Sequence, residues 1–179
     1  MLKSIILFFR KRNIRKNHSQ ERPLIFPDFD KSPTVTIMLD YNGKKDIKEI
    51  EQFVKLSMKP KTLGFVVLCE TIPDDIIQSD LMFFVQKEDF NKFGILQKDK
   101  ESALKTISND VLVNLSDDND NLLNDYLVSC INSSFRIGHS KINMKIHDLV
   151  LDYGIEKSDV ERLKILYKYL MMLSGKNEK

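Results

Sequence analysis

Tryptophan is absent from this 179-residue sequence, glycine occurs six times, histidine three times and cysteine twice. Each scarcity excludes a class of function. The glycines (Gly43, Gly64, Gly94, Gly138, Gly154 and Gly175) never fall within six residues of one another. A dinucleotide fingerprint or a phosphate loop needs clustered glycines so that backbone N–H groups can approach the anion, and neither is encoded. Cys69 and Cys130 sit among apolar neighbours and have no histidine at ligand spacing. They read as small buried hydrophobes rather than a zinc site or a disulfide framework. The apolar run nearest the N-terminus, Ile5–Phe9, is five residues long and meets Arg10-Lys11-Arg12 at once. That is far short of the ~18 residues of a membrane span and lacks a signal-peptide cleavage site, which leaves the cytoplasm as the default compartment.

What is present is a globular composition with an uneven distribution of charge. Apolar residues make up 42% and charged residues 30%, enough for one buried core in a chain of this length. The net charge is +2, yet residues 1–22 hold seven basic side chains (Lys3, Arg10, Lys11, Arg12, Arg15, Lys16 and Arg22) against Glu21 alone. Residues 23–179 therefore carry a net −4, so a basic arm precedes a mildly acidic body. Within the arm, Leu2, Ile5, Ile6 and Phe9 are spaced as the stripe of an amphipathic helix. Pro23, Pro27 and Pro33 then mark an extended linker over 23–33.

Beyond Pro33 the hydrophobic period alternates. Strands are expected at 34–39, 63–69, 81–85, 110–115, 135–138 and 147–153, and helices at 46–57, 99–107, 121–132 and 158–173. Asp46 marks the start of the first of these helices. Alternating strands and helices imply right-handed crossovers and a mainly parallel sheet covered on both faces. The expected architecture is a Rossmann-like or flavodoxin-like three-layer α/β sandwich.

Ligands of such sheets bind at the carboxyl ends of the strands. After the first strand, Asp40-Tyr41-Asn42-Gly43 offers a single glycine and reads as a turn. Asp117-Asp118-Asn119-Asp120 invites a calcium reading, but a loop counted from Asp117 or Asp118 has no central glycine and no Glu at its twelfth position. These acids suit a helix start better. The strongest candidate ligand pocket joins Asn114, Ser116 and Asp117 to Gly138, His139 and Ser140, at the ends of two expected strands. No nucleophile elbow, His-Glu-x-x-His helix or paired-glutamate motif occurs. No catalytic residue, metal or cofactor is expected.

The basic arm supplies the other candidate interface. Lys3, Arg10, Lys11, Arg12, Arg15 and Lys16 can neutralise nucleic-acid phosphates. Alternatively, Leu2, Ile5, Ile6 and Phe9 can enter an anionic membrane surface while the cations hold its headgroups. In a third reading, the arm is a solvated helix packed on the body. The apolar residues separate the first two readings: packed on protein for RNA, embedded in lipid for the membrane.

From Phe84 onward the chain resembles an uncharacterised domain-of-unknown-function family of Bacteroidota. The resemblance rests on Gln86-Lys87-Glu88-Asp89-Phe90 with Gly94 downstream, Asn109–Leu115, Ser133–Gly138, Ile146–Asp152 and Leu166–Leu173. It implies no assigned activity. Asp110–Leu115 followed by Arg136-Ile137-Gly138 is also similar, more faintly, to one half of the two-domain heptose glycosyltransferases. The sequence thus describes an arm (1–22), a linker (23–33), one α/β domain (34–174) and a short tail (175–179). The expected function is a non-enzymatic module whose arm contacts RNA, a ribonucleoprotein or another anionic partner, at the ribosome or the inner membrane. The alternatives are a degenerate nucleotide-sugar-binding half-domain and a peripheral membrane-surface protein.

Overall fold

A computed structural model describes residues 2–18, 22–41, 43, 46–72, 81–116, 122–139, 146–153 and 157–175. Its strands are β1 (Thr34–Tyr41), β2 (Thr62–Cys69), β3 (Met82–Gln86), β4 (Ser108–Asn114), β5 (Asn132–His139) and β6 (Leu149–Leu151). Its helices are α1 (Leu2–His18), α2 (Ile47–Ser57), α3 (Lys98–Thr106), α4 (Leu123–Cys130) and α5 (Asp159–Leu173). All neighbouring strands pair in parallel, in the order β3-β2-β1-β4-β5-β6. That is the Rossmann order rather than the flavodoxin one, and its switch point lies between β1 and β4.

Alternation along each strand divides the core into two layers. Val35, Ile37 and Leu39 of β1, with Val111 and Val113 of β4, pack against Ile50 and Val54 of α2 and Leu163, Leu166 and Leu170 of α5. On the other face, Met38, Val66, Val85 and Leu112 meet Leu104 of α3, Tyr126 and Leu127 of α4, and Ile14 of α1. The near-continuous apolar runs of β1, β2 and β4 follow from this double coverage. Helix starts follow from capping chemistry. Asp46 Oδ1 accepts from Glu49 N–H at 3.1 Å, as expected for α2. Ser158 and Glu161 form a reciprocal capping box at α5.

The strand expected over 147–153 is shorter, because Asp148 is used differently. Arg22 donates to both carboxylate oxygens of Asp148 at 2.5 and 2.7 Å, and also to the carbonyls of Ser133 and Ser134. Asp148 in turn accepts from Arg136 N–H at 2.8 Å. Ile25 N–H donates to Ser134 O, and Phe26 stacks edge-on against Phe135. Residues 22–26 therefore run along the part of the β5 edge that β6 leaves uncovered. Further on, residues 29–31 form a 3-10 turn.

Candidate functional site

At the ends of β4 and β5, the described members of the expected pocket come together. Asn114, Ser116 and His139 are all buried. His139 Nε2 lies 2.7 Å from Ser116 O, and because a carbonyl only accepts, the imidazole donates from that nitrogen. Ser116 N–H donates to Asn114 Oδ1 at 3.1 Å. A Cβ on Gly138 would lie 2.7 Å from His147 Cδ2, so this glycine exists to let the imidazole seat against β5. Asp117 and Ser140 lie outside the described residues.

Among the described residues, an open cavity lies on the other side of the switch point. It has a volume of about 580 Å³ and sits over the carboxyl ends of β1, β2 and β3, near Asp40, Leu68, Cys69 and Val85. That volume is within the small-molecule range of roughly 300–1,000 Å³. Phe90, Lys92 and Gly94 of the loop after β3 bound one side, and Ile6 and Arg10 of α1 supply another. The single nucleophilic thiol in the cavity is Cys69. Partial burial and the nearby Asp89 raise its pKa, which keeps it a thiol near neutrality and counts against an activated nucleophile. Among the described residues, no group of three or more His, Cys, Asp or Glu side chains is placed to hold a metal ion.

The cavity wall depends on how α1 docks. Arg10 is buried, donates from Nε to Gly94 O at 3.0 Å, and places its guanidinium carbon 5.9 Å from the Phe90 ring centroid. Further along, Ile14 is buried and Asn17 Nδ2 donates to Ser129 Oγ at 3.1 Å. The body-facing side of α1 thus includes Ile6, Arg10, Ile14 and Asn17, spaced three or four residues apart. The stripe read from the sequence is therefore divided. Ile6 and Phe9 are partly covered, whereas Leu2 (63% exposed) and Ile5 (39%) face solvent together with Phe8 (61%). Of the six arm cations proposed as partner contacts, Arg10 is turned inward, and Lys3, Lys11, Arg12, Arg15 and Lys16 are exposed. Helix α1 contains no acidic residue.

Beside the apolar tip of α1, Phe9 packs on Phe93 with centroids 4.8 Å apart, and Phe8 meets Phe9 edge-on at 5.5 Å. Lys92 lies 5.2 Å from the Phe93 ring centroid. Sequence reasoning missed this assembly because its parts come from α1, β3 and the irregular segment after β3, and no spacing rule joins them. The one local signal was an aromatic-and-glycine loop, Phe90 to Gly94, where a regular element would otherwise run. No helix among the described residues is long and apolar enough to cross a membrane.

Comparison with curated proteins and with solved structures returns no significant match to either. A family model does match, over residues 7–173, an interval that includes most of α1 as well as the whole sheet. The chain belongs to that family, described as a family of unknown function (DUF6913).

Proposed function

We propose that this chain is a non-catalytic peripheral module that docks the outer face of α1 on an anionic lipid surface. The observation that carries the reading is the exposure of Leu2, Ile5 and Phe8 on a helix whose other exposed residues include Lys3, Lys11, Arg12, Arg15 and Lys16. A contiguous apolar surface rimmed by cations suits the boundary between acyl chains and anionic headgroups. Each cation near such a surface contributes about 1 kcal/mol, and each buried large apolar side chain roughly 1.5–3 kcal/mol.

Contact with RNA or a ribonucleoprotein uses the same cations but leaves Leu2, Ile5 and Phe8 without a role, so it ranks second. The nucleotide-sugar reading has the Rossmann strand order behind it. Against it stands the single glycine after β1, too few for a phosphate cradle.

Co-sedimentation with phosphatidylglycerol-containing and pure phosphatidylcholine vesicles, at low and high salt, tests the proposal. Binding should require the anionic lipid, weaken with salt, and fall at least about tenfold in the double variant Ile5→Ser/Phe8→Ser. Vesicle binding indifferent to that change would overturn it. If Arg12→Glu/Arg15→Glu instead lowered affinity for single-stranded RNA, the nucleic-acid reading would replace it.

A further inference from the structure

We infer that the cavity over the ends of β1–β3 is a binding site for a small anionic amphiphile, an acyl or aryl body carrying one carboxylate or sulfonate. The apolar part of the inference rests on the walls. Leu68, Val85, Ile6, Phe90 and Leu123 converge on one space of about 580 Å³ from two strands, two helices and a loop. At the β4/β5 ends, by contrast, Asn114 and His139 are both held by the backbone of Ser116.

The choice of charge rests on which charged groups are already engaged. Arg10 is held by Gly94 O, and Asp40 has interactions of its own. Lys87 and Lys92 line the same cavity, are exposed, and make no ion pair among the described residues. Glu70 is the opposing carboxylate at the end of β2. Lys92 also stands 5.2 Å from the Phe93 ring centroid, a contact that leaves its ammonium able to donate hydrogen bonds. The lining not held in an ion pair therefore carries two cations against one anion, and both cations lie on the loop side. A ligand with its apolar body against Leu68 and Val85 places its acid toward Lys87 and Lys92, away from Glu70. A charge-assisted hydrogen bond there adds to the hold that burial of the body provides.

The test uses the full chain with 8-anilinonaphthalene-1-sulfonate as a fluorescent probe and decanoate as competitor. The inference predicts saturable one-to-one binding of the sulfonate, displaced by decanoate well before decanol or decyltrimethylammonium. Lys87→Glu/Lys92→Glu should weaken binding about tenfold or more, and Glu70→Gln should tighten it. Leu68→Trp, which fills the space, should abolish it. If that variant does not fold, alkylation of Cys69 by iodoacetamide gives a second readout, since decanoate should slow it in the unaltered chain. Binding that does not saturate, equal competition by the cationic analogue, or indifference to the lysine changes would each overturn the inference. Ile5→Ser/Phe8→Ser should leave probe binding intact, so this site and the lipid-docking surface fail or stand separately.

Discussion

Ile6 rests so closely on Gly94 that a Cβ added to the glycine would lie 2.7 Å from Ile6 Cγ2. The glycine also has φ +70°, a conformation other residues adopt at a cost. Gly94→Ala should therefore push α1 off the loop as well as strain the backbone. A loss of about 1–3 kcal/mol in urea unfolding is expected. Faster tryptic cleavage within α1, where Arg10, Lys11 and Arg12 are consecutive, should accompany it. Unchanged cleavage would mean that the contact does not hold the helix.

Gly138 performs a comparable service for His147, and Gly138→Ala should disturb the β5–β6 pairing of Ile137 with Leu149. The expected cost is again about 1–3 kcal/mol. A folded variant whose hydrogen exchange at β6 matches the parent would contradict this account.

The pair between Arg22 and Asp148 is mostly covered, with side-chain exposures of 17% and 13%. It is bidentate and shares its carboxylate with the backbone of β5. Arg22→Ala should cost about 1–3 kcal/mol, more than an exposed pair contributes. A double-mutant cycle with Asp148→Ala should give clear coupling between the two. Additive effects would show that the clamp contributes nothing beyond its separate residues.

Two positions bear on conditions rather than packing. The Glu161 carboxyl titrates below its ordinary value of 4.5, held down chiefly by the backbone N–H of Ser158 and then by its hydroxyl. A depressed folded-state pKa contributes stability above the unfolded value that is lost as pH falls through the folded one. The Tm deficit of Glu161→Gln should accordingly be largest near neutral pH and shrink below about pH 4.5. Burial, reinforced by Glu101, pushes the Cys130 thiol up to about 11. At pH 8 a thiol reagent should label the half-buried Cys69 first and reach Cys130 only on unfolding.

Lys59 follows α2 with φ +46°, the left-handed position that commonly ends a helix and favours glycine. Lys59→Gly should stabilise the chain by up to about 1 kcal/mol, read as a raised urea midpoint with unchanged slope.

The sheet was legible in the sequence because its strands are covered on both sides. Thr34–Leu39, Leu63–Cys69 and Asp110–Leu115 are compact, largely apolar runs between turn signals, and little else in the chain imitates them. Strand order was only partly legible, since hydrophobic pattern does not say which neighbour a strand takes. The arm was read as a helix for the right reason, its spacing, but its orientation was not encoded locally. Which side faces inward depends on Gly94 and Ser129, far along the chain. Asn114, Ser116 and His139, read together from the ends of two strands, do meet in space. The seat that Gly138 provides for His147 is set by a residue nine positions on and has no local signal.

Helix α1 precedes its packing partners by long stretches of chain: 84 residues separate Arg10 from Gly94, and 112 separate Asn17 from Ser129. Few contacts near it in sequence hold it in place, and loop closure over such distances must come before any of these bonds forms. Its attachment should be among the last events of folding and the first to open in a native chain. A transient opening would bare Ile6 and Ile14 together with the core layer of Met38, Val66 and Leu112 on that face of the sheet.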